Sequence, residues 1–112
     1  MKFKTTAKAI REGGGVTLKI PYCDAQNLLE WNHSPVAYTC GVYGWNFDVY
    51  TVHGVTICTG YRGMVGKPVS HELTARYENA AEAIRYDREM DYEEKREAVE
   101  KLLVEFIKEA TA

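Results

Sequence analysis

The chain has 112 residues, of which 46% are hydrophobic and 27% are charged. This size and composition are typical of one domain with its own core, and they exclude disorder over the whole length and a two-domain arrangement. The sequence contains no apolar run of about 18 residues, and its basic N-terminus lacks the apolar segment of a signal peptide. We therefore expect a single cytoplasmic domain over residues 1–112 with no membrane span.

The net charge of −2 hides an asymmetry between two parts of the chain. Residues 1–71 carry seven Lys or Arg and four Asp or Glu, a charge of +3, whereas residues 72–112 carry seven and twelve, a charge of −5. An acidic segment disfavours a phosphate-binding surface and favours a basic partner, although charged runs are also the ordinary solvated faces of helices.

The first third of the chain predicts three short elements. Hydroxyl caps and apolar spacing predict a helix that ends at three consecutive glycines, and strict alternation before Pro21 predicts a strand. Asp24 is the expected N-cap of a second short helix. The predicted elements are a helix over residues 5–12, a strand over residues 16–20 and a helix over residues 24–31.

Residues 36–61 predict an antiparallel meander of three strands, because they are rich in Val, Thr, Ile and aromatic residues with regularly placed glycines. A two-residue turn at His53 and Gly54 places Val52 opposite Val55. The alternation does not show which face of the sheet is the core.

The preceding turn is predicted at Gly44 and Trp45, which places Cys40 opposite Val49. Cys58 lies opposite Val49 on the other side, so the two thiols are separated by two strand spacings, about 10 Å. We therefore expect Cys40 and Cys58 to be buried and unbridged.

The last third of the chain predicts two helices. The glycine-rich stretch over residues 60–68 is interpreted as a loop, and Ser70 is the expected cap of the helix that follows. Asp91 and Glu94 have the spacing of a capping box, which favours two helices over the alternative of one long helix with a polar middle. The predicted fold class is therefore α+β, with a short helix, a strand, a short helix, a three-stranded antiparallel meander and two C-terminal helices packed on one face of the sheet.

The sequence contains no recognisable catalytic, metal or cofactor signature. The three cysteines and three histidines lack metal-ligand spacing, and the glycine loop lacks the ending of a phosphate-binding loop. Carboxylate pairs are expected only in the last helices, at exposed positions. Cys23, at the start of a predicted helix, is the one thiol with a reason for a lowered pKa. We expect no enzyme, no cofactor and no metal, while a cysteine-dependent or small-ligand enzyme stays open.

Aromatic residues are concentrated in the meander and the loop that follows it, and Tyr, Trp and Arg are the types enriched at binding hot spots. Rings at turns and loops are harder to bury than rings within strands. Together with the acidic positions of the last helix, the expected partner-binding residues are Tyr43, Trp45, Asp48, Tyr61, Arg62, Glu93, Glu94, Glu97 and Glu100.

Three strings of the sequence carry a family resemblance: residues 5–10, residues 35–50 and residues 59–62. They resemble small, uncharacterised proteins of conjugative and phage-like mobile elements of gut bacteria. The resemblance covers about residues 5–63 and brings no catalytic residue with it. It implies a protein that acts by binding, as a transcriptional accessory, a transfer factor or an inhibitor of host defence nucleases such as restriction and CRISPR systems.

Two functions from different classes follow from these observations. The first is a non-catalytic interaction protein, of the anti-restriction or anti-CRISPR type, whose acidic helices meet the basic nucleic-acid channel of a nuclease or other protein complex. The alternative is a small nucleic-acid-binding module in which aromatic rings stack on bases and cations contact phosphates. The residues of that alternative are Tyr43, Trp45, Tyr61, Lys2, Lys4, Lys8, Arg11, Arg62 and Lys67.

Overall fold

A computed structural model describes residues 16–21, 25–31, 36–40, 45–60 and 66–112. These residues form a mixed α+β fold, as predicted. Its elements are β1 (Thr17–Pro21), α1 (Gln26–Leu29), β2 (Val36–Cys40), β3 (Trp45–Val52), β4 (Val55–Gly60), β5 (Lys67–Pro68), α2 (His71–Arg85) and α3 (Tyr92–Thr111). The helix predicted over residues 5–12 and the expected cap Asp24 lie outside the described residues.

The strands form one sheet in the order β2, β3, β4, β1, β5. The antiparallel meander of β2, β3 and β4 is confirmed. Strand β1 lies parallel to β4 on one side and to β5 on the other. The loop interpretation of residues 60–68 is wrong at both ends. Gly60 is the last residue of β4 and pairs with Pro21, and Lys67 and Pro68 pair with Leu18 and Lys19 of β1.

The predicted hairpin between β3 and β4 is confirmed in position and register. Val52 pairs with Val55, and the two turn residues both have positive φ, 48° at His53 and 75° at Gly54. Two consecutive residues of positive φ match the right-handed twist of the flanking strands, which explains why a glycine occupies the second position.

The predicted register between β2 and β3 is wrong. Cys40 pairs with Trp45, and Val36 pairs with Val49, so Trp45 begins a strand instead of forming the turn. The error is four positions, an even number, and an even shift leaves every side chain on the same face of the sheet. The apolar alternation that supported the prediction therefore fits both registers equally well.

One face of the sheet holds the main core. Strand residues Leu18, Tyr50 and Ile57 are buried there against Leu103 and Phe106 of α3. The opposite face also has buried positions, at Val49, Thr56 and Cys58. Cys58 is a free thiol, as predicted, while the side chain of Cys40 lies outside the described part of the chain.

The two C-terminal helices and their caps agree with the prediction. The Ser70 hydroxyl accepts a hydrogen bond from the Leu73 amide at 3.1 Å. Asp91 and Glu94 form a reciprocal capping box that begins α3. Both helices contribute to the core cluster on one face of the sheet, and the ring of Tyr77 in α2 meets Phe106 of α3 edge-on at 5.6 Å.

Candidate functional site

The aromatic contact residues expected from the sequence lie mostly beyond what the structure describes. Tyr43, Tyr61 and Arg62 are outside the described residues, and of Trp45 only the backbone at the start of β3 is described. Their role as contact residues stays a prediction. Asp48, by contrast, has a definite place in β3.

Asp48 is half-buried and interacts electrostatically with a second carboxylate, Glu30. Burial raises its pKa, and the negative charge of Glu30 raises it further. Glu30, just after α1, accepts a hydrogen bond from the buried Tyr50 hydroxyl at 3.1 Å. The expectation that carboxylates pair only in the last helices is therefore wrong, because the fold brings Glu30 and Asp48 together from different elements.

Three of the four predicted glutamates form one flank of α3. Glu93, Glu97 and Glu100 recur at spacings of four and three residues, which places them on the same side of a helix. We call these three residues the acidic flank. Glu93 and Glu97 are exposed, while Glu100 is half-buried and contacts His53 of the β3–β4 turn. Glu94 lies on another side of the helix, where it belongs to the capping box.

A polar cleft opens where α1 and α2 end. It has a volume of about 200 Å³ and is lined by Gln26, Asn27, Glu30, Trp31 and Arg85. The Arg85 guanidinium donates a hydrogen bond from Nη1 to Asn27 Oδ1 at 2.6 Å. The cleft therefore contains a carboxylate and a guanidinium on a framework of side-chain hydrogen bonds.

The wall formed by α1 is held in place by Glu78 from the middle of α2. This carboxylate accepts bonds from the Asn27 amide at 3.0 Å, from Asn27 Nδ2 at 2.7 Å and from the Leu28 amide at 3.2 Å. The residue at the N-cap position, Ala25, has a φ of 72° and supplies no side-chain cap. A carboxylate at a helix N-terminus satisfies free amides and complements the helix dipole, so Glu78 performs the capping function from a distance.

Two exposed aromatic rings, those of Tyr86 and Tyr92, contact residues that line the cleft, and we call Tyr86, Tyr92 and the adjoining Trp31 the aromatic rim. Tyr92 stacks on Trp31 with 5.9 Å between ring centroids, and the Arg85 guanidinium lies 5.8 Å from the Tyr86 ring centroid. Tyr86 is 69% exposed and Tyr92 is 62% exposed. Sequence reasoning missed this cluster, because the two tyrosines lie at the polar break between two helices and Trp31 becomes their neighbour only in the fold.

The described part of the chain gives no thiol or metal chemistry to this surface. Burial raises the pKa of Cys58 to about 11, so the thiolate form is disfavoured. Among the described residues, no three His, Cys, Asp or Glu side chains are grouped in a way that could hold a metal ion. Cys23 lies outside these residues.

Comparison of the chain with models of protein families, with curated proteins and with solved structures gives no significant match. Within the described residues, none of the helices is both long enough and apolar enough to cross a bilayer. The resemblance to proteins of mobile elements therefore stays an expectation, and the functional argument depends on the acidic flank, the polar cleft and the aromatic rim.

Proposed function

We propose that the protein is a non-catalytic interaction protein that binds a basic surface on a protein partner. The observation that carries the proposal is that two exposed surfaces meet at the first turn of α3, where Tyr92 belongs to the aromatic rim and Glu93 to the acidic flank. Exposed rings beside Arg85 provide the residue types that dominate interface energies, and the flank provides the charge.

The acidic flank is suited to attract a partner. Its two exposed carboxylates lie one turn apart, and Arg96 approaches Glu93 only at 3.9 Å between solvent-exposed groups, a weak interaction in water. Val104, one turn beyond Glu100, lines a groove of about 250 Å³ on the same side of α3, together with Glu105, Lys101 and Lys108. A partner that places Lys or Arg against Glu93 and Glu97 and an apolar side chain against Val104 would complement this arrangement, because charge steers the encounter and apolar burial slows dissociation.

A nucleic-acid channel of a nuclease or similar complex has the required basic character. A protein that covers such a channel with an acidic helix would inhibit it by competing with the nucleic acid. The resemblance to mobile-element proteins supports this choice of partner, so we propose an inhibitor of the anti-restriction or anti-CRISPR type that acts in the cytoplasm.

The experiment has two stages. The first is capture of partners from bacterial lysate with and without nuclease treatment, and partners that survive nuclease support protein binding. The second is association kinetics with the double variant Glu93→Lys/Glu97→Lys. We expect association to slow roughly tenfold at low salt and its salt dependence to weaken.

The matched control is Glu72→Lys/Glu82→Lys, which changes the net charge equally at exposed positions on α2, outside the flank and the groove. It should change association much less than the flank variant does. Tyr86→Ala should act differently and mainly raise the dissociation rate. The same is expected for Trp45→Ala if the predicted meander patch takes part.

Equal effects of the flank variant and the control would contradict a specific acidic site. Binding of nucleic acid in a gel-shift titration, tightened by the acidic reversals, would favour the nucleic-acid alternative instead. Of the cations expected for that alternative, Lys67 donates a hydrogen bond to the Ala112 backbone oxygen at 3.2 Å. The others, Lys2, Lys4, Lys8, Arg11 and Arg62, lie outside the described residues.

A further inference from the structure

The polar cleft contains two opposite charges that form no direct ion pair with each other. Glu30 and Arg85 both line it. Among the described residues, no ion pair within 4.0 Å joins Glu30 and Arg85, and none joins either of them to another charged side chain. Because both groups line one cleft of about 200 Å³, a single small ligand can contact both.

Hydrogen bonds to neighbouring side chains orient both charged groups, Arg85 and Glu30. The Arg85 guanidinium is bound to Asn27, and Asn27 is bound in turn to Glu78. One oxygen of Glu30 accepts the Tyr50 hydroxyl, whose ring is only 2% exposed, while no described residue donates to Oε2. Asp48 adds a second negative charge near Glu30. The charged groups are thus partly oriented before any ligand arrives, which reduces the entropy lost on binding.

We infer that the polar cleft binds a small zwitterion, a free α-amino acid whose carboxylate contacts Arg85 and whose ammonium contacts Glu30. A planar guanidinium suits a carboxylate because two N–H groups can donate in parallel. The half-buried indole of Trp31 forms an apolar wall for the side chain of the ligand. The volume of about 200 Å³ is below that of pockets for drug-sized ligands, which suits a molecule of this size.

This inference goes beyond the proposed protein interaction and does not depend on it. Its test needs only the isolated protein and a small molecule, so failure of one proposal does not affect the other. We choose L-leucine as the probe, because its two halves are available as matched compounds: 3-methylbutylamine lacks the carboxylate and 4-methylpentanoate lacks the ammonium group.

The test is a titration of the ¹⁵N-labelled protein followed by NMR. We expect saturable shifts in the amide signals of Asn27 and the indole signal of Trp31 with L-leucine. Each half-compound should bind at least roughly tenfold more weakly, since it loses one charge-assisted contact. Absence of saturable shifts with L-leucine on the order of 10 mM would overturn the inference. An amine or an acid that binds as tightly as L-leucine would also overturn it, in favour of a simple cation or anion site.

Two variants assign the contacts. Arg85→Gln and Glu30→Gln should each weaken L-leucine binding roughly tenfold, whereas the exposed neighbour Arg88→Gln should leave it unchanged. Circular dichroism of each variant checks that it folds. If a cleft variant does not fold, the half-compounds on the unmodified protein still decide the result. Equal weakening by Arg88→Gln and Arg85→Gln would contradict the assignment.

Discussion

Replacement of Glu78 by alanine tests the remote cap that holds α1 in place. The carboxylate accepts three hydrogen bonds at 2.7 to 3.2 Å, two of them from backbone amides at the start of α1. Loss of a helix N-cap costs about 0.5 to 2 kcal/mol, and hydrogen bonds to a charged group contribute about 1.5 to 3 kcal/mol. Because the bonds are only partly buried, we expect Glu78→Ala to lower the free energy of unfolding by about 2 kcal/mol.

Two comparisons sharpen this prediction. Glu78→Gln keeps an acceptor oxygen but loses the charge, so it should cost about 1 kcal/mol. Glu82→Ala is the matched control, since Glu82 is exposed one turn later on α2, and its effect should stay within about 0.5 kcal/mol. All three values come from urea unfolding followed by circular dichroism.

Hydrogen exchange adds a local measurement. The Asn27 amide should lose protection in Glu78→Ala, because it loses its only acceptor among the described residues. The Leu28 amide should lose less, because it also donates to the Ala25 backbone oxygen at 3.1 Å. The reasoning is refuted if Glu78→Ala matches Glu82→Ala in stability, or if the Asn27 amide keeps its protection.

Two further predictions concern titratable groups in the sheet. Since burial raises the pKa of Cys58 to about 11, its thiol should react with a disulfide reagent far more slowly in the native protein than in urea. Rapid labelling of the native protein would contradict the burial of this thiol. The pKa of Asp48 is raised by burial and by Glu30, so its ionisation destabilises the fold as the pH rises above the ordinary pKa of 3.8 for this group. Asp48→Asn should therefore increase the free energy of unfolding at pH 7. Near pH 3 the substitution should change it less, because Asp48 is then protonated in both the folded and the unfolded protein. Equal effects at pH 7 and pH 3 would argue against the raised pKa of Asp48.

Several features of the fold could be predicted because their signals are local in the sequence. The Ser70 cap, the capping box of Asp91 and Glu94, and the turn at His53 and Gly54 each depend on residues within a few positions of one another. Local hydrogen bonds and backbone preferences decide such features whatever surrounds them. The division of the acidic segment into two helices followed from the same signals.

The candidate site was predicted only in part. Periodicity placed Glu93, Glu97 and Glu100 on the last helix, and their common flank follows from helical geometry. The polar cleft could not be predicted, because Asn27 and Glu78 are 51 residues apart and meet only when α1 lies against α2. The aromatic rim depends likewise on the approach of Trp31 to Tyr92.

The sequence by itself determined the type of most described elements, while the tertiary structure decided which of them are neighbours. The alternation of apolar and polar residues fitted both the predicted and the observed register of β2 and β3. It gave no indication that β1 lies between β4 and β5. Backbone hydrogen bonds between strands are the same for every residue type except proline, so the choice of partner comes from the packing of whole faces. In this protein the strand order brings Leu18, Tyr50 and Ile57 into one core cluster beneath α3.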